Sequence, residues 1–358
     1  MNNKIKDKVV TILFSSILII FFLINAIKKD DDISISERRK LEKFPTLTIN
    51  NLMDGTFFKK FETYTTDQFI KRDYFRKLKV NLELNIKKNY NNLYNYNGYI
   101  VEQTFPLNKN SITNLANKMN SIKETYLTNN NIYFTIVPDK NYFINNGNLK
   151  LDYNELTNLM KNNLKDFNYI DIFSILNLDD YYKTDTHWKQ ENIKKVALLL
   201  SKNMNFDFYD NYNELEITSF KGVYSGQLPI KTELDKITIL TNDIIKNSTV
   251  YNYETKKETE VYDLTKVNSL DKYDIYLSGA VSIIDIINNN SSDKELIVFR
   301  DSYGSSLVPL LIQGYKKITV IDTRYVSPKV LNEYVDFNNK DVLFIYGVIS
   351  VNNSSSIR

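Results

Sequence analysis

An uncharged apolar run near the start of the chain limits what this sequence can fold into more than any other feature. Residues 9–27 read VVTILFSSILIIFFLINAI, nineteen positions without a charged side chain. A helix rises about 1.5 Å per residue, so the run matches the ~30 Å hydrocarbon core of a bilayer. Within a bilayer, a helix satisfies all of its own backbone hydrogen bonds. The sequence therefore predicts a transmembrane anchor at residues 9–27.

The flanks of this run indicate its orientation. Lys4, Lys6 and Lys8 lie in the short segment 1–8, which favours a cytoplasmic N-terminus. A cleaved signal peptide is the alternative, although the run exceeds a usual signal core and no small-residue cleavage site precedes Lys28. No later segment is long and apolar enough to span again. We expect a single-pass protein of the cytoplasmic membrane, with residues 28–358 on its extracellular side.

Composition excludes several classes of function. The 46 basic and 43 acidic residues are interspersed and give a net charge of only +3, so no nucleic acid partner is expected. The chain contains no cysteine, which excludes disulfides, thiol catalysis and thiolate metal sites. A zinc site on the single histidine would need at least two further carboxylates and is disfavoured. We therefore expect no metal and no other cofactor.

The remainder of the chain divides into two predicted regions. Residues 28–110 form a juxtamembrane, helical region, in which 54–79 has an aromatic stripe at helical spacing that is expected to be core rather than a partner surface. That stripe comprises Phe57, Phe61, Tyr64 and Gln68. Residues 111–358 are predicted to form an α/β domain. A β-rich insertion is expected at 205–290, with a hairpin at 248–264.

Helical and strand-like patterns alternate on both sides of that insertion. Helices are predicted at 111–127, 155–165, from 193 to about 200, from the 300s to about Gln313, and around 327–337; strands are predicted at 131–138, 169–173, 295–299, 318–322 and 342–348. Several of these strands are continuous apolar runs, as in a buried parallel sheet. The alternation indicates a sheet with helices on both faces.

The only histidine and the only tryptophan of the chain lie side by side in TDTHW, residues 184–188. Asp185 and His187 are two positions apart, so in an extended segment they project to the same side. A carboxylate in that position can hold an imidazole in one tautomer and stabilise its protonated form. The pair is a candidate general base; a structural His–Asp contact beside a packed Trp188 is the alternative.

A strand, a polar turn and a helix follow one another in ELIVFRDSYGSSLVPLLIQGY, residues 295–315. This order is typical of a nucleophile elbow, with Ser302 at the turn and Gly304 allowing close approach of the backbone. An ordinary helix N-cap is the alternative role for Ser302. The backbone N–H of Ser302 or Tyr303 is a candidate oxyanion donor. Arg300 is a candidate source of positive charge, or else forms a structural ion pair.

Both stretches follow predicted strands at the carboxyl end of the sheet, where α/β folds gather their ligand sites. Asp185, His187 and Ser302 are therefore predicted to converge as an acyl-transfer triad. Gly226 in VYSGQL and Gly279 in YLSGAV are further candidate oxyanion or substrate-loop residues.

A set of short stretches in a fixed order carries a family resemblance. After the anchor come SERRKLEKFP (36–45), DQFIKRD (67–73), IVPDK (136–140), TDTHW (184–188) and FRDSYG (299–304). Together they resemble the DHHW family of bacterial surface proteins and, more widely, SGNH-hydrolase-like alginate O-acetyltransferase proteins. Thr186 departs from the His of the family name, but the related acetyltransferases also have threonine there.

This resemblance implies an SGNH-hydrolase-like parallel sheet, with Asp185 and His187 as the base pair and Ser302 as the nucleophile. It implies acetyl transfer to a cell-surface or exported polysaccharide, with acetyl groups supplied by a membrane-bound O-acyltransferase. Two alternatives remain. The same triad with water as acceptor would make a carbohydrate acetyl esterase, and a vestigial triad would leave an anchored glycan-binding or assembly subunit.

Overall fold

The computed structural model describes residues 3–288 and 292–358. Its contacts divide the chain into two compact units. The N-terminal unit comprises Met1–Tyr90 and Ser225–Lys231, and the α/β unit comprises Asn91–Tyr224 and Thr232–Arg358. The domain boundary predicted from the sequence at residue 110 remains a prediction.

The N-terminal unit is mainly helical. Its elements are α1 (Asn3–Ile27), β1 (Ile33–Ser34), β2 (Arg39–Lys40), α2 (Ile49–Met53), α3 (Thr56–Asp67) and α4 (Arg72–Lys87). Within the span Lys4–Ile27 of α1, a stretch of 18 residues reaches a mean hydropathy of 2.6, and the helix fits a single-pass membrane anchor. The helix predicted over 54–79 is in fact two helices, because Lys71 adopts a left-handed backbone conformation (φ 53°) between α3 and α4.

The α/β unit carries the remaining elements. Its strands are β3 (Leu93–Tyr96), β4 (Tyr99–Glu102), β5 (Asn131–Val137), β6 (Asn168–Tyr169), β7 (Asn213–Phe220), β8 (Asp235–Thr241), β9 (Thr249–Asn252), β10 (Lys257–Thr259), β11 (Ile283–Ile287), β12 (Glu295–Arg300), β13 (Lys317–Ile321) and β14 (Asp341–Gly347). Its helices are α5 (Lys109–Tyr126), α6 (Tyr153–Asn163), α7 (Lys194–Met204), α8 (Val223–Gln227, which continues into the N-terminal unit), α9 (Asp243–Lys246), α10 (Tyr303–Leu311) and α11 (Val348–Asn352).

Eight of these strands form the central sheet, in the order β10-β9-β11-β13-β12-β14-β5-β6. The five from β13 to β6 are parallel, and β9, β10 and β11 extend the sheet with antiparallel pairing. Alternate residues of β12 enter two separate apolar clusters, as the pleat requires. Val298 joins α7 and α10 in one cluster, whereas Ile297 and Phe299 join α5 and α6 in the other. The predicted SGNH-like α/β fold, with helices flanking a largely parallel sheet, is confirmed.

Three local predictions need correction. The strand expected at 169–173 ends at Tyr169, because the Asp171 carboxylate accepts the N–H of Phe173 (3.0 Å) and turns the chain into a short 3-10 helix. The helix expected at 327–337 is a 3-10 helix, Pro328–Glu333. The hairpin expected at 248–264 is present as β9 and β10, but it belongs to the central sheet through β11.

Candidate active site

The nucleophile turn lies between the end of β12 at Arg300 and the start of α10 at Tyr303. Ser302 stands at the N-cap of α10, but its side chain makes no capping hydrogen bond. Its Oγ lies instead 2.7 Å from Nε2 of His187. The alternative prediction, that the Ser302 side chain caps the helix, is therefore wrong. A side chain on Gly304 would place its Cβ 2.6 Å from Cβ of Arg300, so glycine is required there for packing of the turn.

The histidine is oriented by its neighbour in the TDTHW loop. Nδ1 of His187 lies 2.6 Å from Oδ1 of Asp185. Because a carboxylate only accepts, Nδ1 carries the proton and Nε2 is free to accept from the Ser302 hydroxyl. Asp185 also accepts the backbone N–H groups of His187 (3.1 Å) and Val223 (2.9 Å).

The electrostatics of Asp185 follow from these contacts. Burial alone would raise the pKa of this carboxyl, but the imidazole of His187 and the two backbone N–H donors outweigh it and lower the pKa below the usual range. Asp185 and His187 are buried, whereas Ser302 is partly exposed. The series of hydrogen bonds thus connects the buried Asp185 carboxylate to the partly exposed Ser302 hydroxyl.

Aromatic side chains fix the imidazole from two sides. The Tyr273 ring stacks on His187 with centroids 3.8 Å apart and planes at 6°, and Tyr303 presents its edge at 5.4 Å. The Tyr273 hydroxyl and the indole N–H of Trp188 meet at Ser306 Oγ, at 2.7 and 2.9 Å. Trp188 is therefore tied to α10 through Ser306 and makes no hydrogen bond to Ser302.

The backbone of the TDTHW loop is held by a buried lysine. The Lys140 ammonium donates to the carbonyls of Tyr182 (3.0 Å), Lys183 (3.3 Å) and Asp185 (2.8 Å). Burial lowers the pKa of Lys140 to about 7, although nearby carboxylates, Asp185 first among them, oppose this. No role was predicted for Lys140, the last residue of IVPDK. Its position directly after a buried strand and a proline was the available signal.

The turn that carries Ser302 is also held by hydrogen bonds to a buried charged side chain, Asp301, for which the sequence analysis predicted no role. The Asp301 carboxylate accepts the N–H groups of Tyr303 (3.1 Å) and Gly347 (2.8 Å) and the hydroxyl of Ser350 (2.7 Å). These bonds fasten the turn after β12 to the residues that follow β14. Since the Tyr303 N–H is engaged with Asp301, it does not point to a ligand in this arrangement. The N–H of Ser302 donates to no group among residues 3–288 and 292–358.

The other candidate residues lie as follows. Arg300 is buried, donates to the Gly279 carbonyl (2.8 Å) and lies 3.6 Å from Asp322. It forms the structural ion pair that was the alternative to a role at the oxyanion. Gly279 has φ 76°, and an added Cβ would meet Asp274 at 2.0 Å.

Gly226 lies in the N-terminal unit, apart from the unit that carries the triad. There its carbonyl accepts from Arg76 at 2.8 Å. An added Cβ would lie 1.5 Å from the Ser36 carbonyl oxygen. This close packing explains why residue 226 is a glycine.

No group of three or more His, Asp or Glu side chains that could hold a metal occurs among the described residues. The site consists of a hydroxyl, an imidazole and a carboxylate in hydrogen-bonded series, and this is the arrangement that activates a serine for acyl transfer.

The SGNH-like α/β fold and the hydrogen-bonded serine, histidine and aspartate together indicate the class of protein to which this chain is similar. Among solved structures, a DHHW family protein from Eubacterium siraeum matches with a TM-score of 0.60 at 18% identity, over 74% of this chain and 92% of that one. PatB1 of Bacillus cereus, solved with a sulfonyl adduct, matches with a TM-score of 0.59 at 19% identity, over 73% and 97%. The O-acetyltransferase domain of Pseudomonas putida AlgJ matches at 0.43 and 10% identity, over 72% and 90%. No family model and no curated protein matches.

The first two likenesses show a shared fold. They agree with the resemblance to the DHHW family that the order of the sequence motifs carries.

Proposed function

We propose that this protein is an extracytoplasmic O-acetyltransferase that modifies hydroxyl groups of a cell-surface or exported polysaccharide through an acetyl ester on Ser302. The observation that carries this proposal is the unbroken series from Ser302 Oγ to His187 Nε2 (2.7 Å) and from Nδ1 to Asp185 (2.6 Å). The fold shared with a DHHW family protein and with PatB1 supports this proposal in kind.

In the first half of the reaction Ser302 Oγ attacks the carbonyl carbon of an acetyl donor. Its proton passes to His187 Nε2, and the imidazolium is stabilised by Asp185. The Ser302 N–H, at the positive end of α10, is the candidate donor to the oxyanion. Collapse of the tetrahedral intermediate returns the proton to the leaving group and leaves an acetyl ester on Ser302.

In the second half a sugar hydroxyl replaces the leaving group. His187 takes the proton of that hydroxyl as its oxygen attacks the ester carbonyl, and Ser302 recovers the proton when it leaves. Lys140, Tyr273 and Asp301 act as positioning residues, because they hold the loop, the imidazole and the turn without lying between the reacting atoms. A membrane-bound O-acyltransferase that moves acetyl groups across the membrane is the proposed source of donor, with α1 as the proposed anchor and its N-terminus inside.

The test uses the full chain in detergent, an activated acetyl ester and a neutral oligosaccharide. Mass spectrometry should show an acetyl group on Ser302 when the acceptor is left out, and on the sugar when it is present. Release of acetate without an acetylated sugar would replace the proposal with an esterase. If neither product forms and cells carrying Ser302→Ala keep normal surface acetylation while deletion abolishes it, the protein is an assembly subunit.

A further inference from the structure

Helix α4 of the N-terminal unit has its polar and apolar faces the wrong way round for a helix of a water-soluble protein. A surface helix normally turns its apolar stripe to the core and its charged face to water. In α4 the four apolar side chains Phe75, Leu78, Leu82 and Ile86 recur every three or four residues, so they share one face. All four are exposed, at 41%, 49%, 55% and 79% of their full surface.

The opposite face of α4 carries the contacts within the unit. Arg72 and Arg76 both pair with Glu37, at 2.5 and 3.1 Å, and both are largely covered. Val80, on the same side, is fully buried. Charged groups thus fasten the inner face of α4, and the outer face presents a continuous apolar stripe that needs a cover.

The start of this stripe is joined to the end of the anchor helix. Phe75 lies 6.3 Å from Phe21 of α1 and 5.6 Å from Phe69, measured between ring centroids, and Phe69 stacks on Phe21 at 5.7 Å. The N–H of Ile70 donates to Oδ1 of Asn25, in the last turn of α1, at 2.8 Å. The turn that leads into α4 is therefore fixed to the point where α1 ends.

The depth of that point follows from helix geometry. Phe21 precedes the end of α1 at Ile27 by six residues, which is about 9 Å along the axis. Helices that lie in the plane of a membrane bury their apolar face about 5–10 Å below the headgroup boundary. An aromatic cavity of about 790 Å³ also lies beside α1, lined by Phe21, Phe44 and Phe61 among others.

We propose that α4 lies in the plane of the membrane, with Phe75, Leu78, Leu82 and Ile86 immersed in the lipid leaflet at which α1 ends. Lys77, Lys79 and Lys87, which are exposed, would then lie at the level of the lipid headgroups. The occupant of the stripe is the bilayer itself, since the stripe is continuous with the anchor. This inference rests on the proposed anchor and is independent of the proposed acetyl-transfer chemistry.

The absence of cysteine makes a direct test possible, because each introduced cysteine is the only thiol in the chain. Leu78→Cys, Leu82→Cys and Ile86→Cys in the full chain are labelled with a nitroxide and reconstituted in phosphatidylcholine–phosphatidylglycerol vesicles. Power saturation then compares collisions with oxygen, which concentrates in lipid, and with a water-soluble nickel complex. Lys77→Cys on the same helix is the matched control, and Leu13→Cys reports the anchor.

The three stripe labels should show a severalfold higher oxygen-to-nickel ratio than the label at position 77, and similar depths to one another. A ratio equal to that at position 77, with Leu13→Cys in lipid, would mean that the anchor is right and the in-plane helix is wrong. Labels shielded from both reagents would indicate a protein cover and overturn the proposal. A water-exposed label at position 13 would remove the anchor and the proposal with it.

Discussion

The two units depart from the usual burial rule in opposite directions. The α/β unit buries charge, with Asp185, Lys140 and Arg300 all nearly inaccessible. The N-terminal unit exposes apolar surface, in α1 and along the outer face of α4. Burying a charge is costly unless it is hydrogen-bonded, and exposing a large apolar patch to water is costly unless something covers it. The charges of Asp185 and Lys140 are buried at the proposed acetyl-transfer site, whereas the exposed apolar surface of α1 and α4 is proposed to meet the bilayer.

Among the variants that test this comparison of the two units, removal of the proposed nucleophile is expected to have the largest effect. Ser302→Ala should lower acetyl transfer by roughly 10⁴-fold or more, because the acetyl ester cannot form. Its melting temperature should stay close to that of the wild type, since Oγ is partly exposed, makes no capping bond and loses only its contact with His187. Ser305→Ala, buried on the same helix, is the control and should keep its activity. Transfer by Ser302→Ala at the wild-type rate would contradict the proposed mechanism.

Removal of the buried charge is expected to have the next largest effect. Asp185→Asn should reduce activity by about 10³–10⁴-fold, because an amide at this position can hold the imidazole in the wrong tautomer. The exposed Asp243→Asn serves as the control.

The same variant should change the acid dependence of stability. Since the pKa of Asp185 is lowered from 3.8, its carboxylate stabilises the folded chain above that pH, and this contribution is lost as the pH falls through the lower folded value. Chemical denaturation at a series of acidic pH values should therefore show a shallower loss of stability for Asp185→Asn. Equal slopes for the two proteins would argue against a strong His–Asp pair.

Lys140→Met tests a buried charge that is proposed to position the loop of Asp185 and His187 without taking part in the reaction. We expect a loss of about 10- to 100-fold in kcat with a smaller change in KM, since the loop carrying Asp185 and His187 loses its ties. Lys150→Met, in which a partly exposed lysine is removed, should be close to wild type.

The pH dependence of stability distinguishes this role from simple packing. Between pH about 7 and 10.5 the unfolded chain binds a proton at Lys140 that the folded chain does not, so this lysine makes wild-type stability rise with pH across that window. The free energy of unfolding of Lys140→Met should lack that rise. A variant with the wild-type slope would show that the pKa of Lys140 is not lowered.

The smallest effects are expected on the outer face of α4. Leu82→Ser should change the free energy of unfolding in detergent by no more than about 0.5 kcal/mol and leave acetyl transfer to a soluble oligosaccharide unchanged. Val80→Ala, two residues away on the inner face, should cost roughly 1–3 kcal/mol. Thermal melts of the two variants decide the matter. The reverse order would mean that the faces of α4 have been exchanged.

Sequence reasoning succeeded where one physical signal dominates. The strands β5, β12, β13 and β14 are continuous apolar runs, and each was predicted to within one or two residues. It failed where a side chain or a single backbone angle overrides the pattern, as Asp171 does after β6 and Lys71 does between α3 and α4.

The aromatic stripe at 57–68 shows a different reason for failure. Its spacing predicted a helix correctly, but period alone does not tell which face meets the core. Gln68 is buried, whereas Phe61 remains 38% exposed, so the expectation of a simple core stripe is only partly right. The three predicted triad residues were found from their local settings, and they do lie within hydrogen-bonding distance. Lys140, Asp301 and Tyr273 were missed because their contacts join segments far apart in the chain.

The histidine and its carboxylate come from one loop, two residues apart, whereas the serine comes from a strand end 115 residues later. The imidazole is consequently oriented, stacked and polarised by neighbours that do not include the hydroxyl. Loss of the serine alone would therefore leave the imidazole–carboxylate pair in the orientation it has now, because Asp185 and Tyr273 still hold it.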